Sequence, residues 1–260
     1  MNQRQKSDDA WRPIEFPLEL SPEIVHVVRM RLDLSEALAA EYLKQLPAEE
    51  QVRAERFRFH DPRARFVGCR VPLRSILANC LGMAADAISF GYGANGKPEL
   101  AAAPKAAAVQ NAGTSIEFNL SHSGDWGLIA LTVGSAVGVD IEQFDPRSEI
   151  QRLAERYFAK SEVAEFLQLS EESRQAGFYR GWTCKEAYMK ATGRGMSQSL
   201  SSFAVRIDPD QPASLLSIDG EPDEPECWSV WSFDVTPNYA AAAMVARRPA
   251  RLQLWDWPPQ

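Results

Sequence analysis

Apolar positions along the chain change their spacing several times, and each change marks an element. In residues 26–34, Val27, Met30 and Leu32 stand among charged residues and predict a strand. Ser35 then offers a helix N-cap, with Glu36 in the first turn. Residues 48–81 read as helical, with a break expected near His60-Asp61-Pro62, because proline is costly in a helix interior. Gly82 follows as a stop, and residues 88–92 predict a strand. Residues 116–120 and 126–133 predict two strands on either side of a turn, Ser121-His122-Ser123-Gly124, and residues 137–141 predict another. Helices are expected at 150–158, 161–169 and 175–192, and strands at 203–207, 228–235 and 239–245 close the chain. The polar, Pro-interrupted residues 1–20 and the alanine-rich stretch 101–108 lack an apolar face and read as surface segments.

A faint repeat underlies this order. Each half has a helix ending in glycine (Gly82, Gly193), then a strand, then a hairpin, which reads as Phe118-Asn-Leu-Ser in one half and Phe233-Asp-Val-Thr in the other. The pattern suggests an α+β fold of two similar halves, residues 1–135 and 136–260, with a ligand cleft between them.

Composition narrows the setting. The chain is 45% hydrophobic and 24% charged over 260 residues, the balance of a globular protein. No uncharged apolar run approaches the roughly 18 residues of a membrane span. Asp8 and Asp9 follow the N-terminal residues where a secretory signal would be apolar. Cys69, Cys80, Cys184 and Cys227 form no Cys-x-x-Cys pair, so reduced, buried thiols are expected in place of zinc or a disulfide framework. Together these features point to the cytoplasm. A net charge of −7 argues against bulk attraction to nucleic acid or an anionic membrane.

Three segments carry candidate chemistry. In Val137-Gly-Val-Asp-Ile-Glu142, strand alternation puts Asp140 and Glu142 on one face and Val139 and Ile141 on the other. Paired carboxylates repel each other, and a hard cation such as magnesium resolves that cost. In the segment Trp182 to Gly195, Glu186 and Lys190 are i and i+4 neighbours on a helix. Glu186 would supply a third metal ligand or a general base, and Lys190 a charge to neutralise a pyrophosphate. In Phe118-Asn-Leu-Ser-His-Ser-Gly-Asp-Trp126, a turn would present hydroxyl, imidazole and N–H donors to a phosphate. Taken singly, the same segments also fit a solvent-facing strand, a routine Glu–Lys helix pair and an ordinary turn. A serine hydrolase fits poorly, since Ser121 and His122 are adjacent and no Gly-x-Ser-x-Gly elbow exists. Neither a phosphate-binding Gly-x-x-x-x-Gly-Lys loop nor a Gly-x-Gly-x-x-Gly fingerprint is present.

The order of these segments is more specific than any one of them. Gly96-Lys97-Pro98, Asn119-Leu-Ser-His-Ser, Gly138-Val-Asp-Ile-Glu and Trp182-Thr-Cys-Lys-Glu-Ala-Tyr-x-Lys follow one another as in the 4′-phosphopantetheinyl transferase superfamily, which the chain resembles from about residue 46 to 245. The likeness is to its longer, surfactin-synthetase-activating branch. It implies two α+β halves related by a pseudo-twofold axis in a monomer, with coenzyme A as co-substrate in the cleft between them. It also implies transfer of 4′-phosphopantetheine to a serine of an acyl or peptidyl carrier protein. By the match, Asp140, Glu142 and Glu186 correspond to Mg2+ ligands and Lys190 to the residue contacting the transferred phosphate. Ser121, His122 and Lys97 correspond to residues near the coenzyme's 3′-phosphate, and Arg53 and Arg65 match less firmly. Glu49 and Glu50 depart from the lysines usual upstream of Arg53, which puts the shape of the 3′-phosphate pocket in question. A magnesium-dependent pyrophosphatase or nucleotidyl transferase, and a non-catalytic coenzyme A or carrier-binding module, are the alternatives. The region around Lys185, Arg194 and Met196 is the expected carrier-docking surface.

Overall fold

The computed structural model describes residues 10–93, 98–101, 115–195 and 198–258. In chain order, β1 (Arg12–Pro13) and β2 (Ile24–Arg31) precede helices α1 (Glu36–Lys44), α2 (Ala48–Glu55) and α3 (His60–Leu81). Strands β3 (Phe90–Tyr92), β4 (Pro98–Leu100), β5 (Ile116–Ser123), β6 (Trp126–Val133) and β7 (Val137–Gln143) come next. Helices α4 (Ile150–Tyr157), α5 (Lys160–Gln168) and α6 (Glu171–Thr192) separate them from β8 (Phe203–Val205), β9 (Leu215–Ile218), β10 (Ser229–Phe233), β11 (Tyr239–Val245) and β12 (Arg251–Asp256).

Among the described residues, one sheet has the strand order β1-β12-β2-β6-β5 and another β10-β11-β7. The two sheets pack face to face, with Val25, Val27, Leu128 and Ala130 of the first against Val139, Ile141, Ala241 and Ala243 of the second. On the outer face of the first sheet, Val28, Met30, Ile129 and Leu131 cover Leu73, Ile76 and Leu77 of α3. On the outer face of the second, Ala240, Ala242 and Met244 meet Cys184, Ala187 and Tyr188 of α6. Buried on both faces, β6 and β11 are apolar almost throughout and lose the polar alternation of a half-exposed strand. The chain thus adopts the mixed α+β class expected from its sequence. Each sheet carries one 22-residue helix, and both helices end on a left-handed glycine, Gly82 at φ 62° and Gly193 at φ 65°.

Several expectations shift. The segment Ser121-His122-Ser123 is strand, not turn: β5 pairs with β6 as far as Ser123 opposite Trp126, leaving only Gly124 and Asp125 to turn. Gly124 takes φ 55°, the left-handed region open to glycine, so a two-residue loop suffices. The helix break expected near His60-Asp61-Pro62 is present and falls just before His60, so that Pro62 sits in the first turn of α3, where a missing N–H costs nothing. Helix α6 starts at Glu171, four residues earlier than expected, capped by the Ser170 side chain. Strands β9 and β12 were not foreseen. The latter runs parallel to β2, so the last residues of the chain return to the first sheet and fill its floor with Leu254. Residues 102–108 of the alanine-rich stretch lie outside the described residues.

The four cysteines are free. Burial pushes the Cys69 and Cys184 thiols up to about 12, which makes them inert. Cys80 is half-buried and Cys227 exposed, so the expectation that all four are buried holds for two. Among the described residues no helix is long and apolar enough to cross a membrane.

Candidate active site

The site starts from a glycine. Along β7, Val137, Val139 and Ile141 point between the sheets, so Gly138, Asp140 and Glu142 face α6. A methyl group at Gly138 would lie 2.0 Å from the carbonyl oxygen of Ala187 and 2.6 Å from the amide nitrogen of Ala191. Only glycine lets β7 press against the helix backbone there. That contact brings the Asp140 carboxylate to the Lys190 ammonium, 2.6 Å from Oδ1 to Nζ. Lys190 Nζ also donates to Ser121 Oγ at 2.8 Å, and Ser121 Oγ donates to Asp140 Oδ1 at 2.8 Å. One residue pair further along, Ser123 Oγ donates to Glu142 Oε2 at 2.9 Å.

Electrostatics of the three carboxylates follow from this crowding. Burial first, opposed by Lys190 and Ser121, raises the Asp140 pKa above its ordinary value. Burial and then the charge of Asp140 raise those of Glu142 and Glu186. Burial thus disfavours the charge of each carboxylate, and among the described residues Lys190 is the cation that acts on all three. Asp140 is 3% exposed, and among the described residues its Oδ2 has no hydrogen-bond partner. An orphaned buried carboxylate oxygen beside two further carboxylates is an all-oxygen donor set suited to a hard divalent cation. Among the described residues, however, no three His, Cys, Asp or Glu side chains are already gathered as a closed ligand shell. The carboxylates are electrostatic neighbours, with the ammonium of Lys190 interposed at Asp140. The set fits magnesium by chemistry and by its unmet charge, and needs side-chain adjustment to close on it.

Two cavities open beside the cluster. One, of about 680 Å³, is lined by Glu186, Lys190 and Asn119 together with Trp182, Met189 and Tyr157. The other, of about 430 Å³, is lined by Arg53, Arg65, Arg70 and His122 against Phe66. Pro98 and Leu120 line both, so the cavities adjoin. Burial, then the positive charges of Lys190 and Arg65, hold the His122 imidazole below its ordinary pKa. His122 is thus a neutral donor between two cations, in surroundings that favour an anion.

The structure sorts the residues expected at the site into two groups. Asp140, Glu142, Glu186 and Lys190 come together, and Arg53, Arg65 and His122 meet around the second cavity. Ser121 parts from His122: successive strand residues face opposite ways, and the Ser121 hydroxyl serves Asp140. Lys97 lies outside the described residues. Glu50 does not intrude on the basic cavity. It turns inward, 6% exposed, and pairs with Arg70 at 3.1 Å and Arg74 at 2.6 Å.

Lys185 is not a docking residue. Fully buried, it pairs with Glu162 at 2.8 Å and donates to the carbonyls of Leu200 and Phe203 at 2.7 and 2.6 Å. Its position on α6 turns it away from the surface that Glu186 and Lys190 share. Arg194 stands 3.4 Å from Glu221, and Met196 lies outside the described residues.

Three participants were not singled out from sequence: Asn119, Ser123 and Arg70. Asn119 Oδ1 accepts from the Val139 amide at 3.0 Å, locking β5 beside β7. A signal for the first two was present, since Asn119, Ser121 and Ser123 recur at a spacing of two, as do Asp140 and Glu142. Reading that segment as a turn hid it.

Comparison with known proteins identifies the family. The model of the 4′-phosphopantetheinyl transferase superfamily matches residues 136–244, and that of the 4′-phosphopantetheinyl transferase N-terminal region matches residues 35–133. The chain is 34% identical over 247 residues to the 4′-phosphopantetheinyl transferase HetI of Nostoc sp., covering 95% of this chain and 98% of that one. To the 4′-phosphopantetheinyl transferase psf-1 of Bacillus pumilus it is 35% identical over 78% of this chain and 79% of the relative. To the 4′-phosphopantetheinyl transferase Sfp of Bacillus subtilis it is 27% identical over 85% and 92%. With carboxylates, lysine and arginine-lined cavity arranged around matching segments, the chain belongs to the 4′-phosphopantetheinyl transferase superfamily.

Proposed function

We propose that the family's reaction runs in this cleft, with coenzyme A as donor and a serine of an apo acyl or peptidyl carrier protein as acceptor. The observation that carries the reading is Lys190: its ammonium lies 2.6 Å from a buried carboxylate while its side chain lines the larger cavity. A charge so placed meets a phosphoryl group entering beside Glu186. Arg53, Arg65 and His122 around the adjoining cavity suit the coenzyme's 3′-phosphate, with Lys97 as a further contact. Because Pro98 and Leu120 line both cavities, a ligand with an anionic end and a flexible arm can span them.

Asp140, Glu142 and Glu186 would hold a magnesium ion, which when bound supplies positive charge to the pyrophosphate. The carrier serine Oγ bonds to the β-phosphorus of coenzyme A, the phosphorus–oxygen bond to the leaving group breaks, and 3′,5′-ADP departs. The serine proton passes to a carboxylate. Glu186 is the proposed acceptor, since it lines the larger cavity beside Lys190, where the serine would enter. Lys190 stabilises the charge that develops on the transferred phosphate.

The reading takes residues 1–135 and 136–260 as the two halves around the cleft, the last strand excepted, in a cytoplasmic monomer. The family models fall on either side of the same join. Incubation with coenzyme A, magnesium and a panel of apo carriers tests the reaction by the carrier's mass and by released nucleotide. A carrier gaining phosphopantetheine together with 3′,5′-ADP is expected. Release of AMP or inorganic phosphate with unmodified carrier would instead mark a pyrophosphatase or nucleotidyl transferase.

A further inference from the structure

Strands β5 and β7 present matched polar pairs at the same spacing: Ser121 opposite Asp140 and Ser123 opposite Glu142. We infer that Ser123 is a positioning residue, holding the Glu142 carboxylate ready for a divalent cation while Ser121 does the same for Asp140. The inference rests on the metal reading of the three carboxylates and adds what sets their aim.

The geometry is specific. Ser123 Oγ donates its hydrogen to Glu142 Oε2 at 2.9 Å and accepts the Gln143 amide at 3.1 Å, so both roles of the hydroxyl are committed. Ser121 Oγ donates to Asp140 Oδ1 at 2.8 Å and accepts from Lys190 Nζ at 2.8 Å. Each serine engages one carboxylate oxygen, and at Asp140 the other, Oδ2, has no partner among the described residues. Asn119, two residues before Ser121, fixes the register through the Val139 amide at 3.0 Å, so serines and carboxylates stay opposite each other.

A carboxylate with a single fixed hydrogen bond keeps one rotamer and one lone-pair direction. Such outer partners commonly carry about 10–100-fold of a site's metal affinity. Ser123 lines neither of the two cavities around the cluster. Its influence on the site therefore runs through Glu142. Its removal costs the fold little, because the Gln143 amide it would release belongs to an exposed residue that water can reach.

Direct Mn2+ titration, following free Mn2+ by its paramagnetic resonance, tests this on the full chain without reference to turnover. Wild type, Ser123→Ala, Ser123→Thr and Asp140→Ala are compared, with thermal melts alongside. Wild type should bind, Asp140→Ala should not, Ser123→Ala should bind about 10-fold or more weakly at an unchanged melting temperature, and Ser123→Thr should recover most of the affinity. If wild type binds and Ser123→Ala binds within twofold of it, the positioning role is wrong and the metal site stands. If Ser123→Ala lowers the melting temperature sharply, or threonine fails to rescue, the hydroxyl is structural and the inference falls. If wild type binds no Mn2+, the metal reading fails and takes this inference with it.

Discussion

The backbone of Gly138 lies against the carbonyl of Ala187, so close that a single methyl would sit 2.0 Å from that oxygen. The atoms it would meet are helix backbone, which cannot rotate aside. Gly138→Ala should therefore push α6 from β7, cost about 1–3 kcal/mol by overpacking, and separate Lys190 from Asp140. A lowered melting temperature with a disproportionate fall in kcat/KM is the expected result. Gly91→Ala is the control, since nothing lies within 4 Å of a methyl there. Equal effects of the two substitutions would remove Gly138 from the architecture of the site.

Asp140→Asn keeps the side chain's volume and abolishes its charge. Activity should fall at least 100-fold, and EDTA should do the same to wild type. Stability should hold or rise, because the native carboxylate is desolvated and Lys190, 29% exposed, can turn to water when its partner is lost. Substantial activity in EDTA, or in the variant, would refute the metal assignment.

Glu162 and Lys185 are wholly buried partners, and breaking either alone should cost about 3–5 kcal/mol. A double replacement by methionine and leucine is often neutral for an isolated pair. Here it should not be, because Glu162 also accepts from the Ala159 and Val205 amides and Lys185 also donates to two carbonyls. Chemical denaturation of both single variants and the double variant decides it: a double variant as stable as wild type would show the backbone bonds to be dispensable.

His26 predicts a pH dependence of stability. Trp255 Nε1 donates to its Nδ1 at 3.0 Å, so the hydrogen must be on Nε2, 2.9 Å from the Glu19 carbonyl. Protonating Nδ1 would set two donors against each other. Burial lowers the pKa from its ordinary 6.5, so the folded chain disfavours the charged form. Below pH 6.5 the unfolded chain takes up a proton that the native chain does not, and stability falls as pH drops toward the folded value. His122 shifts in the same direction and adds to the slope. His26→Gln should flatten the change in urea midpoint between pH 7 and pH 5 without eliminating it. An unaltered slope would show that His26 titrates normally.

The arginine-lined cavity predicts discrimination between coenzyme A and its dephospho form. Coenzyme A should bind more tightly to wild type, and Arg53→Ala or His122→Ala should narrow the gap. Calorimetry with both ligands measures it, and equal affinities in wild type would argue against a 3′-phosphate pocket.

What the sequence determined by itself is local and periodic. Alternation in Val137 to Glu142 placed two carboxylates on one face, helical spacing paired Glu186 with Lys190, and the order of short segments identified the family. These signals are written within a few residues, where backbone geometry alone decides which side chains share a face. Tertiary structure decided what those faces meet. Ser121 turned out to serve Asp140, because β5 extends to a two-residue turn and lies beside β7, where Asn119 takes the Val139 amide. Lys185 proved buried because Glu162 and two carbonyls beyond α6 converge on its ammonium. Glu50 came to face Arg70 and Arg74, not a ligand. Strand β12 joined the first sheet because an open edge and the Leu254 site await it there. A charged side chain's burial depends on partners from other elements, and no window of neighbouring residues contains them.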